Sequence, residues 1–415
     1  MFITKQNWLP TIINFAVTLF FLSIFIVKGG YNAAPVLLML ISLGYGIYSL
    51  IKRTLLNLSK VDKWLIYSYL FYFFTFILSL FIHGGKMRDI DTASRVVFLI
   101  PILFLLLKYP IKTCVLNYAI PLGGMSSTCV ALYDKFMLNL RPEQNPRIMH
   151  IQGGDISMSL GIFSLVIALY AHQKKDIKLT ALSVIGGLCG IVGSLLSTAR
   201  GGWVTLPILL IVILYIYRHS LSKRFFLTFF GIIAVASVGI SQMPNNRIME
   251  RIDVARKDIQ LYLDNNDGNT SLGARFEMWK SALEMAKEKP LFGWGIQGAT
   301  EKRKLDTKEK IVTGDIGQFT HAHNQYLDDL SKRGIVGLLA LLAVLFIPLL
   351  AFMKGLKTTN DEVKLIATLG IAHILSVMIY GLSQGFLTHN SGTIFYFFLT
   401  IVFYAAIRTQ QKAES

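Results

Sequence analysis

The feature that most constrains this chain of 415 residues is a succession of twelve apolar runs. Most of them come close to the ~20 residues an α-helix needs to cross a hydrocarbon core ~30 Å thick. They fall at 10–27, 31–51, 64–82, 93–107, 111–133, 156–172, 179–197, 202–217, 225–242, 335–353, 363–381 and 393–407. In lipid every backbone N–H and C=O must find its partner within the protein, and a helix supplies those partners from its own segment. Composition agrees, since 53% of the residues are hydrophobic and 16% charged, too little charge for the surface of a water-soluble globule. The expected fold class is therefore an all-α polytopic membrane protein with about 12 transmembrane helices. The first run is long enough to span and is followed by no small-residue cleavage site, so it is expected to stay as a signal anchor.

Basic residues set the expected orientation. Alternate loops carry Lys52, Arg53, Lys60 and Lys63, then Lys108 and Lys112, then Lys174, Lys175 and Lys178, then Arg218, Lys223 and Arg224, then Lys354, Lys357 and Lys364. These loops are assigned to the cytoplasm, with both termini on the same side. The poorer loops face outward, and so does the long polar segment before the tenth run. The chain thus divides into helices 1–9 over residues 1–242, an outward loop over 243–334, and helices 10–12 with a tail over 335–415. The formal net charge of +17 is mostly this topological signal, and no nucleic-acid partner is expected. Three cysteines, Cys114, Cys129 and Cys189, all lie in apolar runs, where small-side-chain packing is expected rather than disulfides or metal binding. Glycines 186, 187, 190 and 193 in the seventh run point to close helix packing.

The polar segment has internal order. RIMERIDVARKDIQLYLD and SLGARFEMWKSALEMAKEKP each place apolar residues at helical spacing opposite a charged face, which predicts two amphipathic helices separated by the loop NNDGNTS. Pro290, Gly293, Gly295 and Gly298 then mark a turn-rich passage, followed by the charged excursion EKRKLDTKEK. Such a segment can cap the membrane domain and close one side of a cleft.

Within it, His321 and His323 are the closest pair among eight histidines, and they stand at the polar approach to an apolar helix. Thr320 is the expected N-cap, which makes His323 the third helical residue, with Lys332, Arg333 and Gly334 as a C-terminal ending. A histidine in a first helical turn feels the positive end of the dipole and stays neutral, able to accept a proton. The alternative is a pair of polar side chains satisfied at an interface. Arg200, in the outward turn STARGGW, is suited to a membrane-embedded phosphate or to a snorkelling anchor. Arg275, at the start of the second amphipathic helix, is suited to an anion site or to plain solvent exposure. Topology puts Arg200, Arg275 and His323 on one side of the membrane.

Weaker candidates share that side. Arg88 stands in Arg88-Asp89-Ile90-Asp91, whose D-x-D is more simply a solvated loop than a metal site. Arg141 and Arg147 can meet acceptor phosphates or lipid headgroups, and His389 in THNSG can line a cleft or merely form a turn. His321 is expected to flank His323 rather than act. Among span interiors, His373 is the main ionisable exception.

The run His323-Asn324, nine residues, Gly334, two residues, Gly337 resembles the HN-x9-G-x-x-G pattern of bacterial O-antigen ligases, within the wider group of O-antigen ligase and polymerase membrane proteins. Chain length, the twelve spans, RGGW, the large loop before the tenth span, RFEMWKSA and PLFGWG extend the resemblance over most of the chain.

The resemblance implies a GT-C-like membrane glycosyltransferase of the bacterial inner membrane with its active site facing the periplasm. It would move O-polysaccharide from undecaprenyl pyrophosphate to a sugar hydroxyl of lipid A-core, with inversion and without metal or other cofactor, completing lipopolysaccharide. By the same resemblance His323 would be the general base, and Arg200 and Arg275 would bind the pyrophosphate. A polymerase of the same group, acting on another lipid-linked glycan, is the nearest alternative. A transporter of twelve helices is more distant, because the long loop is off-centre and the two halves show no repeat. A structural membrane scaffold would need no histidine-arginine set.

Overall fold

A computed structural model describes residues 8–54, 56–223 and 247–414. Eight helices come first: α1 (Trp8–Ile26), α2 (Ala33–Ile51), α3 (Lys60–His83), α4 (Asp91–Lys108), α5 (Thr113–Phe136), α6 (His150–Gln173), α7 (Ile177–Leu196) and α8 (Arg200–Tyr217). The expected ninth span, 225–242, lies outside the described residues. Three helices of polar character follow, α9 (Arg247–Asn265), α10 (Ser271–Glu288) and α11 (Gly295–Lys308). The chain closes with α12 (Gln325–Gly355), α13 (Asp361–Tyr380) and α14 (Asn390–Glu414). Among the described residues there is no strand, and eleven of the fourteen helices are long and apolar enough to cross a membrane. The protein is an all-α polytopic membrane protein.

Burial sorts the spans into a centre and a periphery. The apolar windows of α6, α13 and α14 are 89%, 78% and 94% buried, against 28% to 50% for the other eight. A helix that is apolar all round and buried on all sides is the core of its bundle. Outer helices instead leave large side chains such as Ile47, Phe81 and Ile211 uncovered, as a lipid-facing surface would. The glycines of α7 do what their spacing predicts. A Cβ on Gly190 would come within 2.5 Å of the Gly161 amide nitrogen of α6, and one on Gly186 within 2.6 Å of Pro121 Cα of α5. Backbones touch there because the side chains are absent.

His373 is a core residue, fully buried, with Nε2–H donating to the Tyr396 carbonyl at 2.9 Å and its ring stacked on that of Tyr396. The cysteines depart from expectation. Cys114 and Cys129 lie on exposed helix faces and Cys189 is half-buried, and all three are free thiols.

The two ends of the bundle carry different contacts. At one end α3, α5, α6, α13 and α14 are tied by Tyr404 Oη donating to Asp62 at 2.6 Å, Thr113 Oγ1 donating to Glu362 at 2.5 Å, and a Lys174–Asp361 ion pair of 2.7 Å. The polar helices pack at the other end, where α12 begins. Both expected amphipathic helices are present there as α9 and α10. Most of the charged excursion belongs to α11, whose buried Ala299, Arg303 and Asp306 recur at helical spacing on one face. Hydropathy overlooks that face because two of its four buried residues are charged.

Candidate active site

Asn324 starts α12. Its Oδ1 accepts from the amides of Tyr326 at 3.0 Å and Leu327 at 3.1 Å, while its Nδ2 donates to the Leu382 carbonyl at 3.3 Å. Asparagine ranks above threonine as an N-cap, so the helix begins at Gln325 and not after Thr320. His323 therefore precedes the helix, in a left-handed conformation with φ of 48°.

Gly334 ends the first helical segment of α12, as its sequence position predicts. With φ 63° and ψ −161° it kinks α12, which then continues into the apolar span. A Cβ there would lie 2.3 Å from the Leu291 carbonyl oxygen, because the PLFGWG segment crosses at this point. Ile335 N donates to Pro290 O at 2.8 Å and Trp294 N to Ser331 O at 3.0 Å. The two motifs, HN-x9-G and PLFGWG, are two halves of one contact. Lys332 and Arg333, in the last turn of that segment, are both buried, Lys332 paired with Asp328 at 2.7 Å and Arg333 with Asp329.

The histidine loop is clamped from two sides at Ala322. Its N–H donates to Asp328 Oδ1 at 2.9 Å, and its carbonyl accepts from Trp279 Nε1 at 3.1 Å. Trp279 lies one helical turn beyond Arg275 on α10, so the bond that holds the loop also sets Arg275 beside it. Arg275 is the fifth residue of α10, whose N-cap is Thr270. It thus sits just past the first turn expected for it. Arg200 is the first residue of α8, reached through a tight turn in which Thr198 has φ of 61°. Gly201 and Gly202 serve packing of that turn: Cβ atoms on them would come within 3.0 Å of Asp155 Oδ1 and 2.7 Å of Ser194 Oγ.

Charge places these groups together. Arg275 is shifted below the ordinary guanidinium range, first by burial and then by repulsion from Arg200. His323 is lowered first by burial and then by the Arg275 guanidinium. Neither Arg200 nor Arg275 has an ion-pair partner among the described residues. Two half-buried, uncompensated guanidiniums beside a neutral imidazole make a site that a multiply charged anion would complete. The expected neutrality of His323 is therefore present, with burial as its main cause in place of a first-turn helix dipole.

The remaining candidates separate. His321 packs against His323 with ring centroids 4.2 Å apart, its Nδ1 accepts from the His323 amide at 3.3 Å, and its pKa is pushed down to about 3, mainly by burial. His389 joins them, its ring centroid 6.1 Å from that of His321 and its pKa lowered by burial. Gln384 lies between, with Oε1 3.0 Å from His323 Nδ1 and Nε2 3.1 Å from His389 Nε2. Arg147 is drawn off into an ion pair with Asp134 at the end of α5. Arg141 is exposed and borders a separate cavity of about 760 Å³ between α5, α6 and α7. Arg88 is exposed on the turn Met87–Ile90, and the D-x-D carboxylates beside it are engaged: Asp89 accepts from the Lys86 amide at 3.0 Å, and Asp91 pairs with Arg95 at 3.2 Å.

Three residues of the site escaped the sequence reading. Trp279 had a usable signal, standing four residues after Arg275 on an amphipathic helix. Asp328, five residues after His323, had the signal of a carboxylate close before an apolar run. Gln384 had none.

The O-antigen ligase family model matches residues 185–342, a stretch that contains Arg200, Arg275 and His323. An uncharacterized protein of Haemophilus influenzae is 43% identical over 96% of this chain and 99% of its own length. The exopolysaccharide production protein ExoQ of Rhizobium meliloti is 27% identical over 114 residues, 26% of each chain. This chain belongs to the O-antigen ligase/polymerase family of membrane proteins, glycosyltransferase-like enzymes that act on lipid-linked polysaccharides.

Proposed function

We propose that the protein is an O-antigen ligase, which transfers O-polysaccharide from undecaprenyl pyrophosphate to a sugar hydroxyl of lipid A-core at the periplasmic face of the inner membrane. The observation that carries this reading is the uncompensated Arg200–Arg275 pair beside a neutral, half-buried His323. Residues 1–242 and 335–415 then form the membrane body and 243–334 the periplasmic cap, with both termini cytoplasmic.

In this reading His323 takes the proton of the acceptor hydroxyl as its oxygen attacks the anomeric carbon. The bond from that carbon to the pyrophosphate breaks on the opposite face, so the configuration inverts. Undecaprenyl pyrophosphate leaves with the electron pair. Negative charge grows on its bridging oxygen, and the two guanidiniums stabilise that charge more in the transition state than in the ground state. Positioned general-base catalysis contributes ~10²- to 10⁴-fold. Two arginines would take the part a divalent ion plays in other transferases.

Polymerisation on a second lipid-linked glycan uses the same donor chemistry, and the partial likeness to an exopolysaccharide production protein favours keeping it as the second reading. A reconstituted assay with purified protein, defined donor and lipid A-core decides between them. Ligation predicts transfer to lipid A-core. Elongation of the pyrophosphate lipid alone would establish the polymerase, and transfer at an undiminished rate by His323→Ala would remove the base.

A further inference from the structure

Gln384 is 1% exposed and stands in the connection between α13 and α14, outside the spans. That connection cradles the His323 loop: the Gly381 carbonyl accepts from Gln325 N at 2.7 Å, and the Leu382 carbonyl accepts from Asn324 Nδ2 at 3.3 Å. The Gln384 backbone N–H is itself held by the Tyr380 carbonyl at 3.0 Å. Its amide is therefore fixed between two imidazoles, with Oε1 toward His323 Nδ1 at 3.0 Å and Nε2 toward His389 Nε2 at 3.1 Å.

A primary amide has one accepting end and one donating end, so it imposes opposite roles on the two rings. With Oε1 on His323, that imidazole must carry its proton on Nδ1, and its Nε2 keeps a lone pair. His389 then accepts at Nε2 and carries its own proton on Nδ1. A neutral imidazole held in the other tautomer would offer a proton where a base is required, and a base in the wrong tautomer is inactive. We propose that Gln384, anchored by His389, is a positioning residue that sets the tautomer and ring orientation of His323 and so makes Nε2 the basic atom. This inference rests on the reading of His323 as the general base.

The groups facing His323 are Arg275 from α10, Asp328 from α12, His321 in its own loop, and Gln384 with His389 from the connection before α14. None of the residues facing it through Gln384 carries a negative charge. An amide therefore fixes the tautomer without raising the basicity that a carboxylate in the same place would add.

The test uses full-length protein in nanodiscs with defined donor and acceptor. Gln384→Leu is expected to lower kcat by roughly 10- to 100-fold, the loss typical of removing the partner that orients a metal-bound histidine, with little change in KM. Gln384→Glu is expected to restore part of the rate and move the acid limb of the pH profile up by roughly one unit or more. Nitrogen NMR of labelled histidine should show His323 protonated on Nδ1, and a mixture of tautomers in Gln384→Leu. Protonation on Nε2 in the unaltered protein, or a folded Gln384→Leu enzyme with unchanged kcat and tautomer, would overturn the proposal. Because the NMR signature does not depend on turnover, it separates this failure from that of the base itself, which His323→Ala tests.

Discussion

The indole N–H of Trp279 donates to the carbonyl of Ala322 at 3.1 Å, joining the helix that carries Arg275 to the loop that carries His323. Asp328 holds the amide of the same residue at 2.9 Å, so the loop hangs between α10 and α12. Replacing Trp279 by Phe keeps the ring and removes the bond, whose net worth is ~1 kcal/mol in stability. A larger loss in kcat than in thermal stability is expected, and equal small effects on both would reduce Trp279 to packing.

The pH dependence follows from His323. Its pKa lies below the ordinary histidine value, by burial first and Arg275 second, so the neutral imidazole predominates at pH 7. Activity should fall only as pH drops below ~6.5, the unperturbed value. Removing a nearby positive charge favours the imidazolium, so Arg275→Gln should move the acid limb upward. A limb that stays put would mean the two groups are not coupled.

Arg200→Ala and Arg275→Ala each leave one guanidinium for the anion. Removing a transition-state donor of this kind costs ~10²- to 10³-fold in kcat. Lysine in place of either arginine should recover only part of the rate, since it lacks the planar fork. Donor kinetics unchanged by the alanine variants would take both residues out of the site.

Gly334→Ala tests the crossing of the two motifs. The backbone conformation is one that only glycine adopts easily, worth ~1–3 kcal/mol in strain, and the added methyl would overlap Leu291. Reduced folded yield and a lower melting temperature in detergent are expected. A variant as stable as the parent would show that α12 can shift off the PLFGWG segment.

Arg147 and Arg88 should differ although both were candidate ligand contacts. Arg147→Ala leaves Asp134, only 8% exposed at its side chain, without its ion-pair partner, and should cost ~2 kcal/mol in stability. Arg88→Ala, on an exposed turn, should change neither stability nor turnover. A fall in acceptor affinity for Arg88→Ala, seen by titrating lipid A-core, would return it to the site.

By itself the sequence determined the class of the molecule and the order of its spans, because hydrocarbon demands long apolar helices and leaves little freedom in how they are spaced. It also marked His323, Arg200 and Arg275, through their shared side of the membrane and through the motifs around them. Local signals failed where contacts come from elsewhere in the chain. Thr320 looked like a cap because the Leu382 carbonyl that helps hold Asn324 is distant in sequence. The charged run 301–310 showed no helical pattern of apolar residues because Arg303 and Asp306 are the buried residues of its inner face. Gln384 carried no signal, since an amide gains its role from the two rings placed on either side of it. Only the tertiary structure decided which of the basic residues face one another, because the electrostatics by which Arg200 acts on Arg275 and Arg275 on His323 work through space between helices and fall away with distance.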